Sequence, residues 1–254
     1  MPHVPSVNIR NGGIHYLIKV YKSFHKRTKK TIINAEEQKI NWLNLRYYLM
    51  NLASHESTKI EENLQWKMKF KHKLRPKDDD DKLNFLPCFD TKKEEYLIDN
   101  LDSYNRYIMK NIDIDHACRS YLKTLEWTWY YYCGHPKYCL DAYYEYVHGP
   151  LFKDIIENIP LSNNESFCND ENKHEEKIHA ISQLFFVLPF ENHETIIPSD
   201  QFEKLKDNVY HDFPLLKNSN FDVDYTFCKY FWEGHLILDH IDFFELNKLI
   251  TNNI

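Results

Sequence analysis

Cys133, His135 and Cys139 fall together in CGHPKYC, and His148 follows shortly after, so this stretch holds four side chains able to bind a soft divalent metal. A structural zinc site is built from two tight ligand pairs, and neither the C-x₂-C nor the H-x₃-H spacing occurs here. The stretch therefore reads as buried thiols and a loop rather than as a zinc knuckle. A second set is made of carboxylates, Asp113 with Asp115, Asp222 with Asp224, and Asp239 with Asp242. A two-metal site for Mg²⁺ needs several acids converging from different elements. No strand pattern gathers these six, so helix caps and solvated faces are the expectation. The sequence has no glycine-rich phosphate loop, no G-x-S-x-G elbow and no Cys/His nucleophile pair.

Two further patterns bear on binding. Aromatic residues crowd the stretch from Trp127 to Tyr146, including Tyr138, Tyr143 and Tyr144. Exposed rings at a helix end can stack on unpaired bases, at about 1 to 3 kcal/mol per base. Tyrosines can equally line a helix core with their hydroxyls at the surface, and composition favours that second reading. Lys67, Lys69, Lys71, Lys73, Arg75 and Lys77 run directly into Asp78, Asp79, Asp80 and Asp81. This is either a solvated segment whose charges partly cancel or an arm that contacts phosphates.

The elements that position these residues are expected to be helices, since the chain has only five glycines and its ten prolines lie mostly between periodic segments. Pro2-His3-Val4-Pro5 is stiff and extended, and resembles the interior of a fold more than a fraying end. A first helix starts near Gly13 with Ile14, Leu17, Ile18 and Tyr21 as its stripe. A second starts after Asn41, a good N-cap, with Trp42, Leu45, Leu49 and Leu52 inward. A third covers Glu61 to Lys73, and the pattern resumes after Pro87 through Tyr96, Leu97, Leu101, Tyr104 and Ile108. Asp115 caps a helix with Cys118, Tyr121, Leu122, Leu125, Trp129 and Tyr132 on one stripe, stopped by Gly134 and Pro136. A polar insert near 161–175 precedes ISQLFFVLP, and the last stretch ends in an amphipathic helix. The expected fold is mainly α, an irregular multi-helix domain with long loops and few or no strands. Residues 1–77 form its N-terminal helical segment, 78–90 an acidic linker, and 91–254 the main helical domain.

At 254 residues, 43% hydrophobic and 15% aromatic, the chain can bury a substantial core. It contains no apolar run long enough for a membrane span and no signal peptide, which points to the cytoplasm, with the nucleus also open. Six cysteines without a paired framework read as free thiols in that compartment. The net charge of −6 does not advertise a nucleic-acid binder.

Six blocks in one collinear order carry a resemblance to a known family: PHVPSVNIRNGGIHYLIKVYK, INWLNLRYYLMNLASHE, YLKTLEWTWYYYCGHPKY, YYEYVHGPLFKDI, QLFFVLP with HETIIP, and FDVDYTFCKYFWEGHLILDHIDFFEL. Together they resemble the XRN 5′→3′ exoribonucleases, in the helical part downstream of the nuclease half, over nearly the whole chain. In that family the segment matching Pro2-His3-Val4-Pro5-Ser6 follows the last acid that binds the catalytic Mg²⁺, in a motif N-D-F-L-P-H. The resemblance thus implies that the Mg²⁺ ligands and the pocket for the 5′-monophosphate lie in the nuclease half. No catalytic residue and no metal ligand is expected in this chain. A tryptophan in the family's S-W-S-W-Y-Y-P-Y-H-Y-A-P stretch stacks on the terminal bases. Both tryptophans are absent from the matching residues here, Lys137 to Pro150, and Tyr138 aligns best with the first. Trp232-Glu233-Gly234 matches the late W-[EQ]-G block.

The resemblance implies a single-stranded-RNA-binding module for 5′-monophosphorylated strands, active in RNA decay only with a nuclease half, which can be a separate chain. Its RNA-facing residues are then His3, Trp127, Tyr138, Tyr143, Tyr144, Tyr146, His148 and Trp232, with Lys67, Lys69 and Lys71 from the basic run. The alternative is a non-catalytic protein-interaction module derived from such a gene. A residual metal-dependent nuclease using the chain's own carboxylates is the third reading.

Overall fold

The computed structural model describes residues 4–7, 9, 12–70, 89–90, 95–96, 98, 101–135, 143–168, 178–217, 222–224, 234–237 and 241–254, and of 66–70, 89–90, 95–96 and 222 the backbone alone. The chain is mainly α. In order, it runs α1 (Gly13–Thr28), β1 (Ile33–Asn34), β2 (Lys39–Ile40), α2 (Trp42–Ala53), α3 (Glu56–Phe70), β3 (Phe89–Asp90), β4 (Glu95–Tyr96), α4 (Leu101–Tyr107), α5 (Ile114–Cys133) and α6 (Phe152–Asn158). Then come α7 (Ala180–Val187), α8 (Phe190–Ile196), α9 (Ser199–Asp212), a 3-10 turn (Pro214–Lys217), β5 (Asp222–Asp224), β6 (His235–Ile237) and α10 (Phe243–Asn253). The strands form three antiparallel two-stranded ladders of two or three residues: β1 with β2, β3 with β4, and β5 with β6. None of the helices among the described residues is long and apolar enough to cross a membrane.

Helix boundaries follow local chemistry. Asn41 caps α2 as expected, its side chain accepting from Asn44 N at 2.9 Å. Helix α5 is capped two residues earlier than expected: Asp113, not Asp115, accepts from the backbone N–H groups of Asp115 (3.0 Å) and His116 (3.2 Å). Asp242 does the same for α10 through Phe244 and Glu245. Helix α3 starts at Glu56 rather than Glu61, and Tyr96 lies on a strand instead of opening a helix.

The inward face of α1 also differs from the expectation. Leu17, Val20, Tyr21 and Phe24 pack against the core, whereas Ile14 and Ile18 are exposed. The cause is α2, whose Tyr48 meets Tyr21 and Phe24 edge-on at 5.8 and 6.1 Å and donates its hydroxyl to Leu17 O. Tyr132 likewise leaves its assigned stripe on α5 and is exposed.

Two compact units divide the chain, Met1–Lys173 with Tyr225–Glu233, and His174–Asp224 with Gly234–Ile254. In the first unit the N-terminal helices do not form a body of their own. Phe24, Trp42, Leu45, Leu49 and Leu52 share one core with Cys118, Tyr121, Leu122, Phe152, Ile155 and Ile159. The opening segment is interior, as its stiffness implies: Val4, Ser6 and Val7 are buried, and Asn63 donates to Pro5 O. A second cluster joins Ile60, Leu64, Ile98, Tyr104, Met109, Ala117 and Leu151.

The second unit is built around Ile181, Phe185, Ile197, Phe202, Leu205, Val209, Leu246 and Ile250. His193 is fully buried in this unit, its ring edge-on to Phe185 at 5.2 Å. Its Nε2 donates to Leu188 O (2.9 Å), so its Nδ1 accepts from the Tyr210 hydroxyl (2.8 Å). Burial holds its pKa below the usual histidine value. A depressed folded pKa means that the unfolded chain binds the proton more tightly, so this contribution is intact above about pH 6.5 and is lost as pH falls below it. Thermal unfolding of the wild type at stepped pH is expected to show that loss, and His193→Gln should remove much of the slope.

Candidate nucleic-acid interface

Helix α5 carries most of the residues whose chemistry suits a nucleic-acid strand, and two anchors fix its orientation. Trp129 Nε1 donates to Gln38 O at 2.9 Å, which ties the C-terminal half of α5 to the turn between β1 and β2. Tyr130 is buried; its hydroxyl donates to the buried carboxylate of Glu126 at 3.1 Å and its ring stacks on His135 at 4.3 Å. The helix then closes in a Schellman motif, with Gly134 at φ 65, its N–H on Tyr131 O and the His135 N–H on Tyr130 O.

With positions 129 and 130 turned inward, Arg119, Lys123, Trp127 and Tyr131 follow one another at i, i+4, i+8 and i+12 along a single ridge. Arg119 is exposed, Lys123 and Trp127 are half-buried, and Tyr131 and Tyr132 are 53% and 80% exposed. The Trp127 and Tyr131 rings stack at 5.4 Å, 20° from parallel, and Tyr132 meets Tyr131 edge-on at 5.5 Å. Neither Arg119 nor Lys123 forms an ion pair among the described residues. Two cations leading into a stack of rings can chemically accommodate a sugar-phosphate backbone and its unpaired bases.

The other aromatic residues behave differently. Tyr144 stands edge-on to Tyr121 (5.3 Å) and donates its hydroxyl to His148 O (2.7 Å), and burial pushes its pKa up. Tyr146 lies edge-on to His116 and its hydroxyl meets His116 Nδ1 at 2.7 Å. These contacts set the loop against the N-terminal half of α5. Tyr143 is the exposed member of the group, and His148 is half-buried. His3, Lys71, Tyr138, Cys139 and Trp232 lie outside the described residues, as do the side chains of Lys67 and Lys69.

Apolar periodicity does not single out Arg119, Lys123 or Tyr131, and it assigns Tyr132 to the core stripe. The signal that finds the first three is R-x₃-K-x₃-W-x₃-Y, a polar and aromatic i+4 row on the same helix.

The Mg²⁺ that the family resemblance implies does not fit the described carboxylates. Asp113 and Asp242 are engaged as caps, Asp115 accepts from Asn158, and Glu56 and Glu126 are buried behind hydrogen-bond donors. No three His, Cys, Asp or Glu side chains converge among the described residues. Cys133, His135 and His148 are not gathered into such a group either. Cys118, Cys133 and Cys168 are free thiols, and burial pushes the Cys118 thiol up.

No family model matches the chain, and no curated protein matches its sequence.

Proposed function

We propose that this chain binds single-stranded RNA along the Arg119–Lys123–Trp127–Tyr131 ridge, as the helical part of an XRN-like 5′→3′ exoribonuclease. The observation that supports this is the ridge itself, in which cations and two stacked rings, one half-buried and one exposed, share one line of a helix anchored in the core through Trp129 and Tyr130. Tyr131 and Tyr132 keep about half or more of their surface exposed at this helix end. Unpaired bases suit them because every base has a π-face. In this reading the chain holds a 5′-monophosphorylated strand, and hydrolysis belongs to the Mg²⁺-binding acids of a nuclease half that can be a separate chain.

Binding of a labelled oligoribonucleotide, followed by anisotropy, tests the reading. Tyr131→Ala and Trp127→Ala are each expected to weaken single-strand binding by about 1 to 3 kcal/mol. Duplex RNA of the same length should bind less well, because paired bases cannot stack on the rings. Tyr132→Ala, at the most exposed ring, should leave the melting temperature unchanged and so separates binding from folding. Equal affinity for single strand and duplex, or affinity untouched by both ring deletions, would overturn the assignment.

A further inference from the structure

No acidic residue precedes Glu36, so all 38 acids of the chain lie from there onward, while Lys19, Lys22, Lys26, Arg27, Lys29 and Lys30 crowd α1 and its C-terminal end. All six are exposed, and the inward face of α1 takes none of them. Lys19, Lys22 and Lys26 recur at i, i+3 and i+7, one line along the helix at roughly 5.4 Å per turn. A helix C-terminus favours cations in its last turn through its dipole. That effect does not reach Lys19 and Lys22.

Two local features concern the cations at the C-terminal end of α1. Lys29 occupies the left-handed region at φ 59, its N–H on His25 O, a position that glycine fills without strain. A lysine there costs on the order of 1 to 2 kcal/mol. Arg27 is held in place from α2: its Nη2 donates to Asn51 Oδ1, and Asn51 Nδ2 donates in turn to Tyr47 O. A guanidinium fixed in this way is preorganised for an anion.

The cluster belongs to the same compact unit as the ridge on α5. The β1–β2 hairpin starts just after Lys30, carries exposed Lys39, and delivers Gln38 O to Trp129 within the same compact unit. We propose that the basic face of α1 is a second contact for the same RNA strand, a rail for its phosphodiester backbone several nucleotides away from the bases stacked at Trp127 and Tyr131. This rests on the proposed function and extends its footprint.

Salt-dependent binding of two oligouridylates, roughly 6 and roughly 20 nucleotides long, to the full chain tests it. Replacing Lys19, Lys22, Lys26 and Lys30 with Gln is expected to reduce the slope of log K against log salt by about 2 to 3 for the long strand, at about 0.7 for each phosphate that is no longer neutralised. The short strand should keep its affinity, whereas Trp127→Ala should weaken both. Lys29→Gly should weaken the long strand while raising or preserving the melting temperature, which keeps folding out of the comparison. An unchanged slope for the long strand, with Trp127→Ala still damaging, would overturn the rail and leave the stacking site standing. Absence of RNA binding by the wild type, or tighter binding to anionic phospholipid vesicles than to RNA, would overturn the rail as well.

Discussion

Replacing Glu56 with Ala is expected to lower the stability of the first unit by about 2 to 4 kcal/mol, read from the midpoint of urea denaturation. Glu56 is fully buried at the first position of α3, and its partners are distant in sequence. Oε1 accepts from Phe152 N at 2.8 Å and from the Ser6 hydroxyl at 3.2 Å, and Oε2 accepts from Lys153 N at 3.2 Å. Helix α6 begins after Leu151, which offers no side-chain cap, so the first N–H groups of α6 are satisfied by a residue from another helix. Alanine would leave Phe152 N and the Ser6 hydroxyl buried without their acceptor, and would unfasten the opening segment and α6 together.

The same carboxyl gives a pH dependence whose sign is set by burial. Desolvation raises its pKa from 4.5 to about 7, the backbone N–H groups of Phe152 and Lys153 and the Ser6 hydroxyl oppose that rise, and Asp154 adds to it. Lys153, paired with Asp102 at 2.7 Å, is the cation nearest in sequence to this end of α6. A raised folded pKa means that the fold holds the proton more tightly than the unfolded chain. The contribution is therefore complete below about pH 4.5 and is lost as pH rises through about 7, some 3 kcal/mol in all. Glu56→Gln cannot titrate, so its deficit against the wild type should be greatest near pH 4.5 and shrink towards pH 8. A deficit that grew with pH would mean that the three donors, and not desolvation, govern the site.

Most of what could be read in advance was local. The Asn41 cap and the Trp42, Leu45, Leu49, Leu52 stripe depend on neighbours within one or two turns, and both are as the spacing implies. The stiff Val4–Val7 segment is interior for the same reason. Where the reading and the fold part, a tertiary partner decides. Tyr48 rotates the inward face of α1 away from Ile14 and Ile18, and α1 and α2 share one core with α5 and α6, which lie far along the chain. Glu56 and Glu126 are acids that a sequence places on a solvated face. Nothing within several residues of either one reveals the backbone donors that make burial tolerable. For the candidate interface, the aromatic stretch draws Trp127 and Tyr144 into one reading, whereas the fold packs Tyr144 on Tyr121. Both rings are half-buried, and what separates them is that Tyr144 packs against the core cluster.

Glu126→Ala is expected to cost about 3 to 5 kcal/mol, since it removes one buried group that four donors share. Oε2 accepts from Phe167 N (2.7 Å), Cys168 N (3.0 Å) and the Ser166 hydroxyl (3.1 Å), and Oε1 accepts from the Tyr130 hydroxyl (3.1 Å). Residues 161–168 have no regular structure, and this carboxylate supplies acceptors that a helix or strand would otherwise provide. Trp42 fastens the same segment from the other side, its Nε1 donating to Glu165 O and its ring edge-on to Phe167 at 5.3 Å. Loss of Glu126 should therefore be seen first as faster hydrogen exchange at the amides of Phe167 and Cys168. Glu126→Gln keeps one acceptor oxygen and should recover part of the loss, with Phe167 N better protected than Cys168 N because its bond is the shorter. The consequence reaches the interface, because Glu126 precedes Trp127 on α5 and fixes Tyr130, which turns Trp127 and Tyr131 outward. If the ridge binds RNA as proposed, Glu126→Ala should weaken that binding without touching any residue of the ridge, and Glu126→Gln should restore it in step with amide protection. Exchange that speeds up uniformly across α5 and α6, with no early loss at Phe167 and Cys168, would show instead that Glu126 contributes to the whole core and not to this segment.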